Sequence, residues 1–238
     1  MSRRPFAVFD IDGTLIRWQL YHAVVDKLAQ SGLLGESALQ TIRAARMVWK
    51  RRESKTDFHN YEQTLIGEFE KAITNIPTKT FESLTQSVIE EYQNQVYTFT
   101  RDLITKLKRK DYVLLAISGS HTELVENVAN HYGFDDFLGT VYMRKNYTFT
   151  GQKFVPSFDK RSALLSLIEK HQLALHDSYA IGDSPSDASM LEIVENPIAF
   201  NPDQKLFQTA RKKGWKIVIE RKNVVYRLEK KDEQYTLT

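Results

Sequence analysis

The stretch Phe6-Ala7-Val8-Phe9-Asp10-Ile11-Asp12-Gly13-Thr14-Leu15 constrains this chain more than any other. Phe6 to Asp10 reads as a short buried strand that breaks abruptly at Asp10-Ile11-Asp12-Gly13-Thr14. Aspartate is a poor strand former and is almost never fully buried without a partner. Two carboxylates, two residues apart at the carboxyl end of an apolar strand, therefore need a reason. In open α/β sheets the crevice at that end of the strands holds ligands. Gly13 permits a sharp exit that turns both carboxylates toward one point. The plain alternative for Asp12-Gly13 alone is an ordinary turn leaving a strand.

Three further stretches each end their own apolar run, in this order. Ser118-Gly119-Ser120 follows Tyr112–Ile117, Lys160 follows Phe158-Asp159, and Gly182-Asp183-Ser184-Pro185-Ser186-Asp187 follows Ser178–Ile181. Taken singly, Ser118 reads as a turn or cap, Lys160 as a surface lysine and Asp187 as a helix cap. Together the four stretches resemble the signature set of the haloacid dehalogenase superfamily. DIDGT is similar to its first motif, the serine of AISGS to its second, Lys160 to its third and GDSPSD to its fourth. Their order and gaps, with a helical insert after the first motif, resemble the subclass that contains the phosphoserine phosphatases.

The 238 residues suffice for one substantial domain, or a core with a small second domain. A 42% apolar content can bury a sizeable core, and a net charge of +3 does not demand nucleic acid but suits a small acidic substrate. The absence of cysteine excludes disulfides, thiolate nucleophiles and zinc–thiolate sites. No signal peptide is legible, because the apolar run after Ser2-Arg3-Arg4 is cut by Asp10 and Asp12. No run approaches a membrane span, so the expected setting is cytoplasmic.

From Trp18 to about Val96 the apolar spacing is helical. Leu20, Val24 and Leu28 form one helix, Ser37 and Asp57 are candidate caps for two more, and Thr80 for a fourth. Residues 18–96 therefore read as a helical cap inserted into a core made of 1–17 and 97–238. Within that core Thr100 starts a helix, Tyr112–Ile117 is a doubly buried strand, and Thr122–His131 is a helix. Val141–Phe154 reads as strand and hairpin, Asp159 as the cap of a helix carrying Lys160 in its first turn, and Ser178–Ile181 as the next strand. Ile198–Phe200 is a short strand, Pro202 fits a helix start, and Trp215–Ile219 with Val224–Leu228 closes the sheet. The polar tail from Lys230 is expected to fray. Strands alternating with helices give a Rossmann-like α/β fold: a doubly wound, mostly parallel sheet. The resemblance implies that the first-motif strand is central, flanked by those of the second and fourth motifs.

If Asp10, Asp12, Asp183 and Asp187 converge, they must take up protons or hold a cation. All-oxygen ligands select a hard ion, which points to Mg²⁺. The resemblance implies that Asp10 and Asp183 ligate it through side chains and Asp12 through its backbone carbonyl, with Asp187 in support. It also implies Asp10 as nucleophile and Asp12 as the general acid and base that protonates the leaving group and activates water. Ser118, the amides of Gly119 and Ser120, and Lys160 would hold the phosphoryl oxygens. The dehalogenase branch lacks an acid at the place of Asp12, which favours phosphoryl transfer.

In phosphoserine phosphatases a glutamate nine places after the nucleophile meets the substrate's ammonium; here Gln19 stands there, without the charge. Arg43 and Arg46 are candidates for a substrate carboxylate. The basic run Arg43–Arg52 also reads as a site for a second anionic group, as an anionic lipid or nucleic-acid surface, or as a solvated helix face over a core Trp49. The expected activity is that of a phosphoric monoester hydrolase acting on a small phosphorylated metabolite, with no obligate nucleic-acid partner. The alternatives are a phosphotransferase or mutase using the same aspartyl-phosphate, or a non-enzymatic protein that binds anions or nucleic acid through the basic cap helix.

Overall fold

The computed structural model describes residues 3–231 and 234–237. In chain order its first elements are β1 (Pro5–Phe9), α1 (Leu20–Gln30), α2 (Glu36–Arg51), α3 (Asp57–Ala72), α4 (Thr78–Tyr92) and α5 (Thr98–Lys108). Next come β2 (Val113–His121), α6 (Thr122–Tyr132), β3 (Asp136–Lys145), β4 (Thr148–Phe154), α7 (Lys160–His171) and β5 (Ala174–Gly182). The last are α8 (Ala188–Leu191), β6 (Asn196–Phe200), α9 (Gln204–Lys213), β7 (Lys216–Arg221), β8 (Val224–Lys231) and β9 (Gln234–Leu237). The chain forms two compact units. One comprises Met1–Gln19, Glu91–Thr140 and Val155–Thr238; the other comprises Leu20–Glu90 and Val141–Phe154.

The first unit is a doubly wound α/β sheet in the order β3-β2-β1-β5-β6-β7-β8-β9. The strands from β3 to β7 pair in parallel, and β8 and β9 add antiparallel to the β7 edge. Strand β1 lies between β2 and β5, with Phe9 opposite Ala116 on one side and Ile181 on the other. Both faces are covered, which is why β1 and β2 read as unbroken apolar runs. On one face Phe6, Val8, Leu115, Ile117 and Ala199 pack with Leu164 and Leu167 of α7, Met190 of α8 and Leu206 of α9. On the other, Phe9 meets Phe134 edge-on and Phe200 stacks on Phe99.

The second unit has its own core. Phe69 of α3 meets Tyr21, Phe81 and Tyr142, and Phe81 meets Phe149. Tyr142 and Phe149 lie on the hairpin formed by β4 and the latter half of β3. Residues 141–154 stand with the strands when the sequence is grouped as 18–96 against the remainder. In the structure they cluster with the helices, because the hairpin buries its aromatic face on α3 and α4.

Several helix starts differ from the expected caps. Gly35 occupies the N-cap of α2, so Ser37 lies inside the helix, and Thr80 likewise falls within α4. Helix α9 begins after Asp203, whose side chain accepts the Leu206 N–H at 2.7 Å, so Pro202 stays in the preceding loop. Helix α5 starts at Thr98 without a side-chain cap of its own. Its first N–H groups are satisfied from far along the chain: the Glu220 carboxylate on β7 accepts from Thr98 N–H at 3.0 Å and Phe99 N–H at 2.8 Å. The freed hydroxyl of Thr100 donates to the Thr14 carbonyl at 3.0 Å. The tail expected to fray from Lys230 instead continues β8 to Lys231 and returns as β9, where Tyr235 Oη donates to the carbonyls of Ala210 and Trp215. Positions 232, 233 and 238 lie outside the described residues.

Glu220 also accepts from Arg17 Nη2 at 2.8 Å, and its side chain is almost fully buried. Removing it takes the acceptor away from two part-buried helix-start donors and from one half-exposed guanidinium. Glu220→Ala is expected to lower the unfolding free energy by about 2–4 kcal/mol in urea titration, and a loss below about 0.5 kcal/mol would contradict this role.

Candidate active site

Parallel register brings the separated motifs together. Phe9 pairs with Ala116 and Ile181, and the Asp10 N–H continues the ladder to the Ile181 carbonyl at 2.9 Å. Asp10 and Asp183 therefore lie just beyond the carboxyl ends of β1 and β5, and Ser118 lies on β2 two residues past Ala116, its last residue paired with β1. After Asp10 the chain turns tightly: the Ile11 carbonyl accepts from the N–H groups of Thr14, Leu15 and Ile16, and Gly13 N–H donates to the Ile16 carbonyl. Gly13 sits at φ +79°, and a Cβ there would overlap Asp183 Oδ2. Glycine is required for both reasons: the left-handed backbone and the close approach of the second carboxylate.

Lys160 is the first residue of α7, in the turn capped by Asp159, whose carboxylate accepts the Ser162 N–H. Its side chain is only 2% exposed. The ammonium donates to Asp10 Oδ1 at 2.7 Å, Asp187 Oδ1 at 2.6 Å and the Ile117 carbonyl at 3.0 Å. Three donors thus meet three acceptors. The other Asp187 oxygen accepts from the N–H groups of Asp183 and Ser184 and from the Ser184 hydroxyl. Asp187 is fully buried and clamps the loop after β5 from within; a Cβ on Gly182 would overlap it. Ser118 Oγ donates to Asp12 Oδ2 at 2.7 Å and accepts from the Ser120 N–H at 2.9 Å. Gly119 lies against Ser157, since a Cβ on it would be 3.0 Å from the Ser157 hydroxyl.

Carboxylate oxygens of Asp10, Asp183 and Asp187 lie within 4.8 Å of one another. Like charges at that separation repel by about 3–4 kcal/mol at an effective dielectric near 20. Burial pushes the Asp10 carboxyl up to about 7; Lys160 opposes the rise, while Asp187 and Asp12 add to it. Burial and then the charge of Asp10 raise Asp183 well above the usual carboxylate range. Burial alone would lower the Lys160 ammonium, but Asp10 and Asp187 outweigh it and hold it above the ordinary lysine value. One lysine does not neutralise this set of carboxylates. The donor set is all oxygen and the space over Gly13 admits the Asp183 carboxylate, so the residues present fit a hard divalent cation.

All six residues of the sequence-derived set, Asp10, Asp12, Ser118, Lys160, Asp183 and Asp187, meet in the first unit. Gln19 also lies there, with Nε2 3.4 Å from the place a Gly13 Cβ would take. Arg46 belongs to the second unit and is committed within it, to Asp26 and to the Tyr61 hydroxyl. Arg43 is exposed on α2. Sequence reasoning missed the loop after β6. There the Asp203 N–H donates to the Asp183 carbonyl at 2.9 Å, and Asn201 Oδ1 accepts the Glu220 N–H at 2.8 Å. The only local signal is the turn-prone Asn201-Pro202-Asp203.

Comparison with known proteins places these observations in a family. Phosphoserine phosphatase SerB1 of Mycobacterium tuberculosis is 30% identical over 127 residues, covering 52% of this chain and 41% of that protein. A hydrolase of Mycobacterium leprae is 29% identical over 154 residues, 62% of this chain and 51% of its own. The chain thus spans about half the length, or less, of these curated relatives. A solved phosphoserine phosphatase, an analogue of its phospho-aspartyl intermediate, superposes with a TM-score of 0.64 at 20% identity, over 93% of this chain and 96% of that one. At that identity the likeness is one of fold. The family model of haloacid dehalogenase-like hydrolases matches residues 7–192, and the chain belongs to that family.

Proposed function

We propose that this protein is a Mg²⁺-dependent phosphatase that hydrolyses a small organic phosphate monoester through an aspartyl-phosphate on Asp10. The observation that carries the reading is the buried Lys160 ammonium shared between Asp10 and Asp187, with Asp12 and Asp183 beside them. In the first step an Asp10 oxygen attacks phosphorus, the ester P–O bond breaks, and Asp12 gives the leaving alkoxide its proton. In the second, Asp12 takes a proton from water, the resulting hydroxide attacks phosphorus, and inorganic phosphate leaves with Asp10 restored. The Ser118 hydroxyl, 2.7 Å from Asp12 Oδ2, holds that carboxyl in orientation. Lys160 keeps Asp10 fixed on the strand end and offsets the charge of the incoming phosphoryl group. The Asp10 and Asp183 carboxylates and the Asp12 carbonyl would hold Mg²⁺, which supplies charge neutralisation for the phosphoryl oxygens. Asp187, its oxygens already engaged, keeps the Asp183 loop and Lys160 in place.

The substrate argument rests on Gln19. Its amide offers hydrogen bonds but no negative charge, so a substrate recognised there through an ammonium group, as phosphoserine would be, is disfavoured. A phosphomonoester without that cation fits better.

Two outcomes test the chemistry. Asp10→Asn is expected to cut phosphate release from an aryl phosphate by about 10⁴–10⁶-fold with unchanged circular dichroism, and retained turnover would refute the nucleophile. Gly182→Ala, which touches no substrate, is expected to lose most activity because its Cβ displaces Asp187; parent-level kcat would remove Asp187 from the site's support.

A third follows from the raised Asp10 carboxyl. A folded-state value near 7 against 3.8 otherwise means the folded protein binds more protons between those limits. The contribution to stability is full at low pH and is lost as pH rises through about 7. Cation-free protein should therefore have a higher Tm at about pH 5.5 than at about pH 8, and added Mg²⁺ should raise Tm more at the higher pH. Equal Mg²⁺ shifts at both would count against ligation by Asp10.

A further inference from the structure

Helix α2 carries Arg43, Arg46, Lys50, Arg51 and, at its C-cap, Arg52, with no carboxylate after Glu36. The structure sorts these residues by face. Arg46 turns inward to Asp26 and Tyr61, and Trp49 stacks flat on Tyr61 with ring centroids 5.2 Å apart. That half of the run is structural. The outward half is not accounted for: Arg43, Lys50, Arg51 and Arg52 are exposed, and none has an ion-pair partner among the described residues. Between those cations on the same outer face stand Met47, 53% exposed, and Val48, 48% exposed. The first acid after the helix is Glu53.

Four cations without counter-charges favour an anionic partner. The two aliphatic side chains decide which kind. Nucleic acid offers phosphates to the cations but no acyl region for Met47 and Val48, and the outward face presents no aromatic ring on which a base could stack. A bilayer with anionic headgroups satisfies both features. Lys and Arg stems extend to the headgroup phosphates while the aliphatic side chains enter the acyl boundary. We infer that the outer face of α2, through Arg43, Met47, Val48, Lys50, Arg51 and Arg52, docks on anionic phospholipid surfaces. The contact is peripheral: among the described residues no helix is long and apolar enough to cross a membrane. The inference is independent of the phosphatase reading, because it uses no residue of the Asp10 site.

The test is flotation of the full chain with vesicles of phosphatidylcholine alone or mixed with phosphatidylglycerol. Binding is expected to the mixed vesicles only and to weaken with salt. Lys50→Gln/Arg51→Gln and Met47→Ser/Val48→Ser should each reduce the partition coefficient roughly tenfold. Circular dichroism of both variants should match the parent, since all four side chains are exposed. Vesicle binding indifferent to the Met47→Ser/Val48→Ser pair would overturn the inference, as would no binding to either vesicle. An oligonucleotide bound by the parent through Lys50 and Arg51, with the vesicles left unbound, would overturn it in favour of nucleic acid.

Discussion

The ammonium of Lys160 is the contact on which the rest of the site depends. Removing a charge from water costs several kcal/mol unless it is fully paired, and this one is almost completely buried. It is tolerated because its donors end on Asp10 at the end of β1, on the Ile117 carbonyl of β2 and on Asp187 in the loop after β5. Those acceptors come from three separate chain segments. A single side chain therefore ties the end of β1, the middle of β2 and the loop after β5 into one arrangement, and any slip of register would leave a buried charge unpaired.

Around that pair the geometry is set by what is missing as much as by what is present. Gly13 and Gly182 lack side chains where Asp183 and Asp187 must pass. The carboxylates can then approach closely enough to raise one another's protonation, on top of the effect of burial. Asp187 accepts from Lys160 with one oxygen and from the loop that carries Asp183 with the other, which ties that loop to the lysine. The excess negative charge left on Asp10 and Asp183 is the physical reason a divalent cation suits the site.

The second unit shows a different economy. Its core is aromatic, from Trp49 and Tyr61 through Phe69 to Phe81 and Phe149. Tyr61 combines this packing with polar links, since it stacks on Trp49 and accepts from Arg46. Arg46, which by type suits a substrate carboxylate, is engaged by Asp26 instead. Composition within a basic run thus says little about which cations are free, because that depends on the acids brought up by neighbouring helices.

The amino-acid sequence by itself determined the alternation of strand and helix, the parallel core, and the identity of the aspartates and serine that follow its apolar strands and of the lysine in the first turn of α7. These signals are local: apolar runs broken by aspartate, glycine at tight exits, and Asp159 three residues before the N–H it caps. Only the tertiary structure decided that Glu220 satisfies the start of α5, that the hairpin Val141–Phe154 packs with α3 and α4, that Asp203 steadies Asp183, and that Arg46 is committed while Lys50 and Arg51 are not. The Glu220 and hairpin contacts join groups far apart along the chain, while Arg46 with Asp26 and Asp203 with Asp183 pair across about 20 residues with turns between them. Residue type and spacing carry no record of such pairings; they form because buried donors and acceptors must be satisfied by whatever folding brings beside them.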